Sequence, residues 1–171
     1  MRFHSGLTLI ELVIAIAVAG LLVALAAPSF SNLQARRAAD AAIAALTSDL
    51  ALARSEAIKR GNSVTVCSSA DGNNCLGVTE WRQGWIVYHN AIIPGNPARA
   101  ASEVLRAQGL VSGIDSMQAT RQAMTFRQNG VGSGIAGNVR VTPLADPAQV
   151  RLMCISILGR VSVLPAGANA C

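Results

Sequence analysis

Lysine is almost absent from this chain of 171 residues: of fourteen basic residues, all but Lys59 are arginine. Histidine occurs only at His4 and His89, and aromatic residues make up 4% of the chain. No nucleophile elbow, phosphate loop or His-based metal motif is present. The glycines at 130, 132, 134 and 137 do not follow a strand and open a helix, so they suggest a loop rather than a nucleotide site. The four cysteines, Cys67, Cys75, Cys154 and Cys171, lack the C-x₂-C spacing of a structural zinc site. These gaps predict a chain that is not an enzyme, with no catalytic residue, metal or cofactor. The net charge of +5 rests on arginine, whose planar guanidinium suits carboxylate or phosphate and keeps nucleic acid among the partners to consider. An Arg-rich, Ala-rich composition accounts for the same excess without any ligand.

The apolar run at the start is a positive signal. Leu12 to Ala27 carries no charge and is bounded by Glu11 and Pro28. A helix over 7–27 would span about 31 Å, close to the bilayer core of roughly 30 Å. Glu11 does not fit an ordinary anchor, because an ionisable group costs about 2.5–3.5 kcal/mol near the centre of such a helix and less towards its end. It needs a partner. A secretory signal would account for Arg2, His4 and the small residues at Ala24-Leu25-Ala26, but a glutamate inside the apolar segment argues against one.

From Ser31 to Arg60 the pattern is again helical. Ile43, Leu46, Leu50, Ala53 and Ala57 form one apolar stripe, the spacing of a face packed on a core. Charged residues, Asp49 among them, fall mostly off it. Gly61-Asn62 is the stop signal, preceded by the favourable cations Lys59 and Arg60, and Pro28 predicts a kink or short break between the two helical parts. Short strands follow at 63–67, 85–88, 103–108, 124–127, 138–142, 150–157 and 161–164. Between them lie a turn at Asp71-Gly72-Asn73-Asn74, an irregular insertion at 91–101 and a glycine-rich loop at 129–138. This is an α+β pattern: a long N-terminal helix against an antiparallel β-sheet head. An even cysteine count in an exported chain suggests two disulfides among three connectivities; the favoured pairs are Cys67–Cys75 and Cys154–Cys171. Trp81 and Trp85 either pack the head or leave one ring exposed for a partner.

Ser5-Gly6-Leu7-Thr8-Leu9-Ile10-Glu11, the apolar run and Pro28 together resemble the N-terminus of type IV pilins and type II secretion pseudopilins. The resemblance implies a leader of residues 1–6, cut by a prepilin peptidase between Gly6 and Leu7, with methylation of the new N-terminus. Leu7 stands where the family usually has phenylalanine. It also implies a transmembrane assembly helix over 7–28, an amphipathic continuation over 29–61 and a periplasmic head over 62–171, with Thr8, Glu11 and Pro28 serving assembly. Glu11 would meet the N-terminal amine of a neighbouring subunit, pairing two charges that are costly to bury alone. Ala53-Arg54-Ser55-Glu56-Ala57-Ile58 and Trp81-x-x-Gly84-Trp85 resemble the GspH/FimT branch. Gly159-Arg160-Val161-Ser162 is similar to the glycine-arginine-x-arginine motif of FimT-like pilins implicated in DNA uptake, with Ser162 in place of the second arginine. The function implied is that of a minor pilin or pseudopilin, single-pass in a bacterial inner membrane, joining or priming a filament with other pilins, near its tip. The alternatives are service in type II secretion and a double-stranded DNA receptor built on Gly159, Arg160, Arg140 and Arg151, with Arg121 and Arg127 beside them.

Overall fold

The computed structural model describes residues 8–90 and 103–171, with only the backbone for 23–32 and Asn90. The leader, Leu7 and the insertion at 91–101 lie outside the described residues. A single helix, α1 (Leu9–Arg60), runs for 52 residues, about 78 Å at 1.5 Å per residue. Pro28 does not interrupt it, so the short break expected there is absent. A proline removes one backbone donor, and the helix continues for more than thirty residues beyond, where packing holds it. Gly61 ends it at φ 62°, with its N–H donating to Ile58 O and the N–H of Asn62 to Ala57 O. That left-handed cap disfavours any residue with a Cβ.

Nine strands follow among the described residues: β1 (Ser63–Ser68), β2 (Trp85–Asn90), β3 (Glu103–Gln108), β4 (Ile114–Ala119), β5 (Ala123–Phe126), β6 (Gly132–Ser133), β7 (Gly137–Pro143), β8 (Arg151–Ile155) and β9 (Val161–Leu164). They form two antiparallel sheets, ordered β3-β2-β1-β5-β6 and β4-β7-β8-β9. The fold is the α+β arrangement expected, with the antiparallel layer divided in two.

β4 escaped the sequence because its alternation is broken: the register shifts between Ile114 and Ser116, and the extra residue, Asp115, interrupts period 2. β8 ends at Ile155 rather than Ile157. Ile157 is apolar, which favours extending the strand to it, yet it occupies the turn that follows together with Leu158.

The stripe on α1 is buried from Ala35 to Ala57, and Ile43, Leu46 and Leu50 meet Val64, Val66, Met124, Val139 and Met153 in one core. Each large aliphatic side chain there contributes about 1.5–3 kcal/mol. Asp49, read as off the stripe, is a correction: it is 2% exposed. Its Oδ2 accepts from Trp85 Nε1 at 2.8 Å and its Oδ1 lies 3.2 Å from Arg106 Nη1. The carboxylate is tolerated because both oxygens are partnered, and it pins α1 to β2 and β3. Trp81 is equally buried, its Nε1 donating to Arg121 O at 3.1 Å, so both rings pack the head. Disulfides join Cys67 to Cys75 and Cys154 to Cys171.

Candidate assembly and partner-binding sites

At the start of α1, Thr8 is the N-cap, in extended conformation. Its hydroxyl and its backbone N–H each donate to Glu11 Oε2 at 2.9 Å, and Glu11 N–H returns a 3.3 Å bond to Thr8 Oγ1. This is a reciprocal capping box, and it satisfies donors that a helix start otherwise leaves orphaned. The spacing Thr8-x-x-Glu11 carried that signal in the sequence, where Thr8 was assigned only an assembly role. Both bonds use Oε2, and Oε1 makes none among the described residues. The carboxylate is therefore held in place with one oxygen open.

The apolar side chains around it have no cover. From Leu9 to Leu22 the large ones are 51–82% exposed. Among the described residues no helix is long and apolar enough to cross a membrane; the side chains of 23–32, which complete the apolar run, are not among them. Gly6 and Leu7 also lie outside the described residues.

The arginines of the head do not converge as the motif suggested. Residues paired directly across antiparallel strands share a face. Val141 pairs with Arg151, Val139 with Met153 and Ile155 with Val161, and these face α1. Arg151 accordingly donates to Asp40 Oδ1 from Nε at 2.9 Å and Nη2 at 2.8 Å. Gln118, Arg140, Leu152 and Leu164 pair in one row on the opposite face, as do Asn138, Cys154 and Ser162. Arg140 and Arg151 thus lie on opposite sides of one sheet. Arg160 stands at the β8–β9 turn, where Ser156 N–H donates to Arg160 O and Arg160 N–H to Ser156 Oγ. From the Arg140 row to that turn is about 13 Å along the strand and about 10 Å across two strands.

Arg54 joins Arg160 at that turn. Arg54 on α1 donates to Leu158 O at 3.1 Å. Arg127, at the end of β5, bonds Val131 O through its N–H and reaches Ser133 Oγ at 3.4 Å. Gly159, at φ 74°, lies against Phe126, where a Cβ would approach the ring to 2.9 Å. Glycine is required both for that contact and for the backbone angle. Sequence reasoning passed over Arg54, which lies more than a hundred positions away along the chain.

A helix that packs one half under two antiparallel sheets and leaves the other half bare, opening on a capped glutamate, defines a filament subunit of the pilin class. A model of the family described as type II transport protein GspH matches residues 42–159, and the prokaryotic N-terminal methylation motif matches residues 1–27. The chain belongs to the GspH family, and is a minor pilin or pseudopilin of the type IV pilus and type II secretion class. Two solved structures share its fold. The type IV minor pilin FimU of Pseudomonas aeruginosa superposes with a TM-score of 0.58 at 18% identity, over 76% of this chain and 90% of that one. The minor pseudopilin EpsH from the type 2 secretion system of Vibrio cholerae gives 0.51 at 13% identity, over 76% and 98%.

Proposed function

We propose that the chain is a non-catalytic assembly subunit, matured by a prepilin peptidase between Gly6 and Leu7. Residues 7–28 hold it once across a bacterial inner membrane, with the head, from 62 to 171, in the periplasm. From there it joins a pilus or pseudopilus, near the tip, through its N-terminal helix. The observation that carries this reading is Glu11: its Oε2 is engaged by Thr8 while Oε1 stays open, on an apolar helix with no partner of its own. In that setting a neighbour's N-terminal ammonium supplies the missing counter-charge, and burial of the two together costs less than burial of either alone. Pro28 lies between the exposed stretch that includes Leu22 and the packed one that includes Ala35.

Intact-mass measurement of membrane-extracted protein tests the maturation step. Wild type loses residues 1–6, and Gly6→Ala retains them; a mature mass for Gly6→Ala contradicts the assigned peptidase site.

Duplex DNA as a partner has a narrower basis, because Arg140 and Arg151 are turned apart and Ser162 carries no charge. What favours it is Arg54, which bonds the Leu158 carbonyl of the turn that carries Arg160. Phosphate contacts make binding fall steeply with salt. A titration of the full chain in detergent at two salt concentrations, beside Arg160→Ala, decides it: salt-sensitive binding that drops in the variant supports DNA, and none at low salt removes it.

A further inference from the structure

Among the described residues the two sheets have four edges, and three of them are guarded. β3 carries Glu103 and Arg106, paired with Arg60 and Asp49, and its register against β2 shifts between Val87 and Tyr88. β6 is two residues long. β4 is covered by the segment before it. Trp81 N–H donates to Met117 O at 2.9 Å, Met117 N–H to Glu80 Oε1 at 2.8 Å, and Ala119 N–H to Thr79 O at 2.8 Å. Charge, bulges, brevity and cover keep a strand edge from pairing with another chain. β9 is twice the length of β6 and has neither charge nor bulge nor cover. Val161-Ser162-Val163-Leu164 holds no charged residue and no proline, and its register against β8 is unbroken.

The register identifies the groups that β9 leaves open. Ser156 N–H donates to Arg160 O, so those two positions form a hydrogen-bonded pair, and such pairs alternate along an antiparallel ladder. Cys154 with Ser162 and Leu152 with Leu164 are therefore bonded pairs. Val161 and Val163, opposite Ile155 and Met153, turn their N–H and C=O groups away from β8. Among the described residues nothing bonds those groups. They form two donor–acceptor sets about 6.8 Å apart in the plane of the sheet. The flank beside them is recessed: a space of about 650 Å³ between β9 and α1 is lined by Ile43, Ala44, Thr47, Ser48, Val161 and Val163, with Asp40 and Arg151. Thr47 directs its hydroxyl to Ile43 O, and Asp40 pairs with Arg151. The recess is left with mostly apolar surface and a charge pair that is closed on itself.

We propose that β9 is a strand-addition site, which takes an extended segment of another polypeptide with small or β-branched apolar residues at alternate positions. The chemistry of the edge fixes the occupant. N–H and C=O groups at strand spacing in the plane of a sheet are matched by a polypeptide backbone. The phosphates of duplex DNA or of a lipid surface accept from N–H and leave each C=O unmatched. Side chains of an added strand that face α1 enter the recess, where Ala44 and Ser48 are exposed and small. The β9 of a second copy does not fit. Antiparallel pairing of two identical edges has a two-fold axis normal to the sheet, which reverses α1 and so cannot join two copies anchored in one membrane. The contact belongs to the head and is separate from the pairing of N-terminal helices through Glu11.

Amide hydrogen exchange of the full chain in detergent, read residue by residue by NMR, tests it. The probe is an acetylated and amidated heptapeptide of alternating threonine and valine. It is expected to slow exchange at Val161 and Val163 at least tenfold and to leave the β3 edge unchanged. The same peptide with alternate backbone nitrogens methylated, which cannot complete the ladder, is expected to have no effect. Val163→Lys, at a position 44% exposed, is expected to weaken the protection at least tenfold without moving the thermal transition. Val163→Thr, which keeps strand propensity, is expected to preserve it. Glu11→Gln is expected to change neither result, so failure of helix pairing and failure of strand addition are told apart. Exchange at Val161 and Val163 indifferent to the peptide, or slowed equally by its methylated form, would overturn the proposal. So would protection of both amides before any peptide is added that disappears on dilution, which would assign the edge to a second copy.

Discussion

Leu21 and Leu46 sit on one helix, twenty-five residues apart; the first is 64% exposed and the second fully buried. Both halves of α1 are rich in alanine and leucine, and helix propensity does not tell them apart. What separates them is where the charges fall. Beyond Ser31 charged residues recur on one side, leaving a stripe that two sheets cover. Between Leu12 and Ala27 there are none, so no side of the helix is polar, and among the described residues no element covers the stretch from Leu9 to Leu22. The packed half is stabilised within the molecule. The bare half acquires its stability only from what lies outside it, and Glu11 is the one group on it that can specify a partner.

That contrast can be broken most forcefully in the core. Leu46→Ala is expected to lower the stability of the full chain in detergent by about 2–5 kcal/mol, through lost burial and a residual cavity. Leu21→Ala is expected to leave the thermal transition of the head unchanged. Equal effects would mean that the two halves are not energetically distinct. The Cys154–Cys171 bridge spans 17 residues, and its loss in Cys154→Ser is expected to cost about 3 kcal/mol in the chain-entropy model, read by urea denaturation. Asp49→Ala is expected to cost about 1–3 kcal/mol, because it leaves Trp85 Nε1 unpaired in the core. Asp49→Asn, which keeps an acceptor for the indole, should recover part of that loss.

The smallest expected effect is on pH dependence. The Asn74 side chain and the N–H groups of Asn73 and Asn74 hold Asp71 well below the usual carboxylate range, and the Arg60 guanidinium does the same more mildly for Glu56. Both are depressed in the folded chain, so as pH falls the unfolded chain takes up protons first. The stability they supply is present above the ordinary carboxylate pKa and is lost on acidification towards the folded values. Asp71→Asn with Glu56→Gln should flatten the acid limb of the stability curve measured by thermal melts.

Much of this was legible in the sequence because period and punctuation agreed. The helix was marked twice, by the residue spacing of the stripe from Ile43 to Ala57 and by the stop at Gly61. β4 was not legible, because its bulge at Asp115 scrambles alternation. Ile157 and Leu158 misled for a different reason. Apolar residues on an exposed turn carry the same local pattern as the end of a strand, and only the third dimension shows them facing solvent. Asp49 was misplaced because a charge was assumed to avoid the stripe, when its partners come from β2 and β3. The arginines illustrate a further limit: scarcity of acids in that half of the chain grouped Arg151 with Arg140, yet strand parity turns the two to opposite faces and Arg151 onto Asp40.

The most direct measurement is incorporation of Glu11→Gln into filaments or pseudofilaments in the native host, with maturation checked by intact mass. Glutamine keeps the shape and the capping hydrogen-bond acceptor of Glu11 and removes only its charge. The account predicts a normally matured chain that inserts in the membrane, unfolds at the wild-type temperature and is strongly depleted from the assembled fraction. Wild-type incorporation of the matured variant would contradict it, leaving Glu11 as a helix cap and no more.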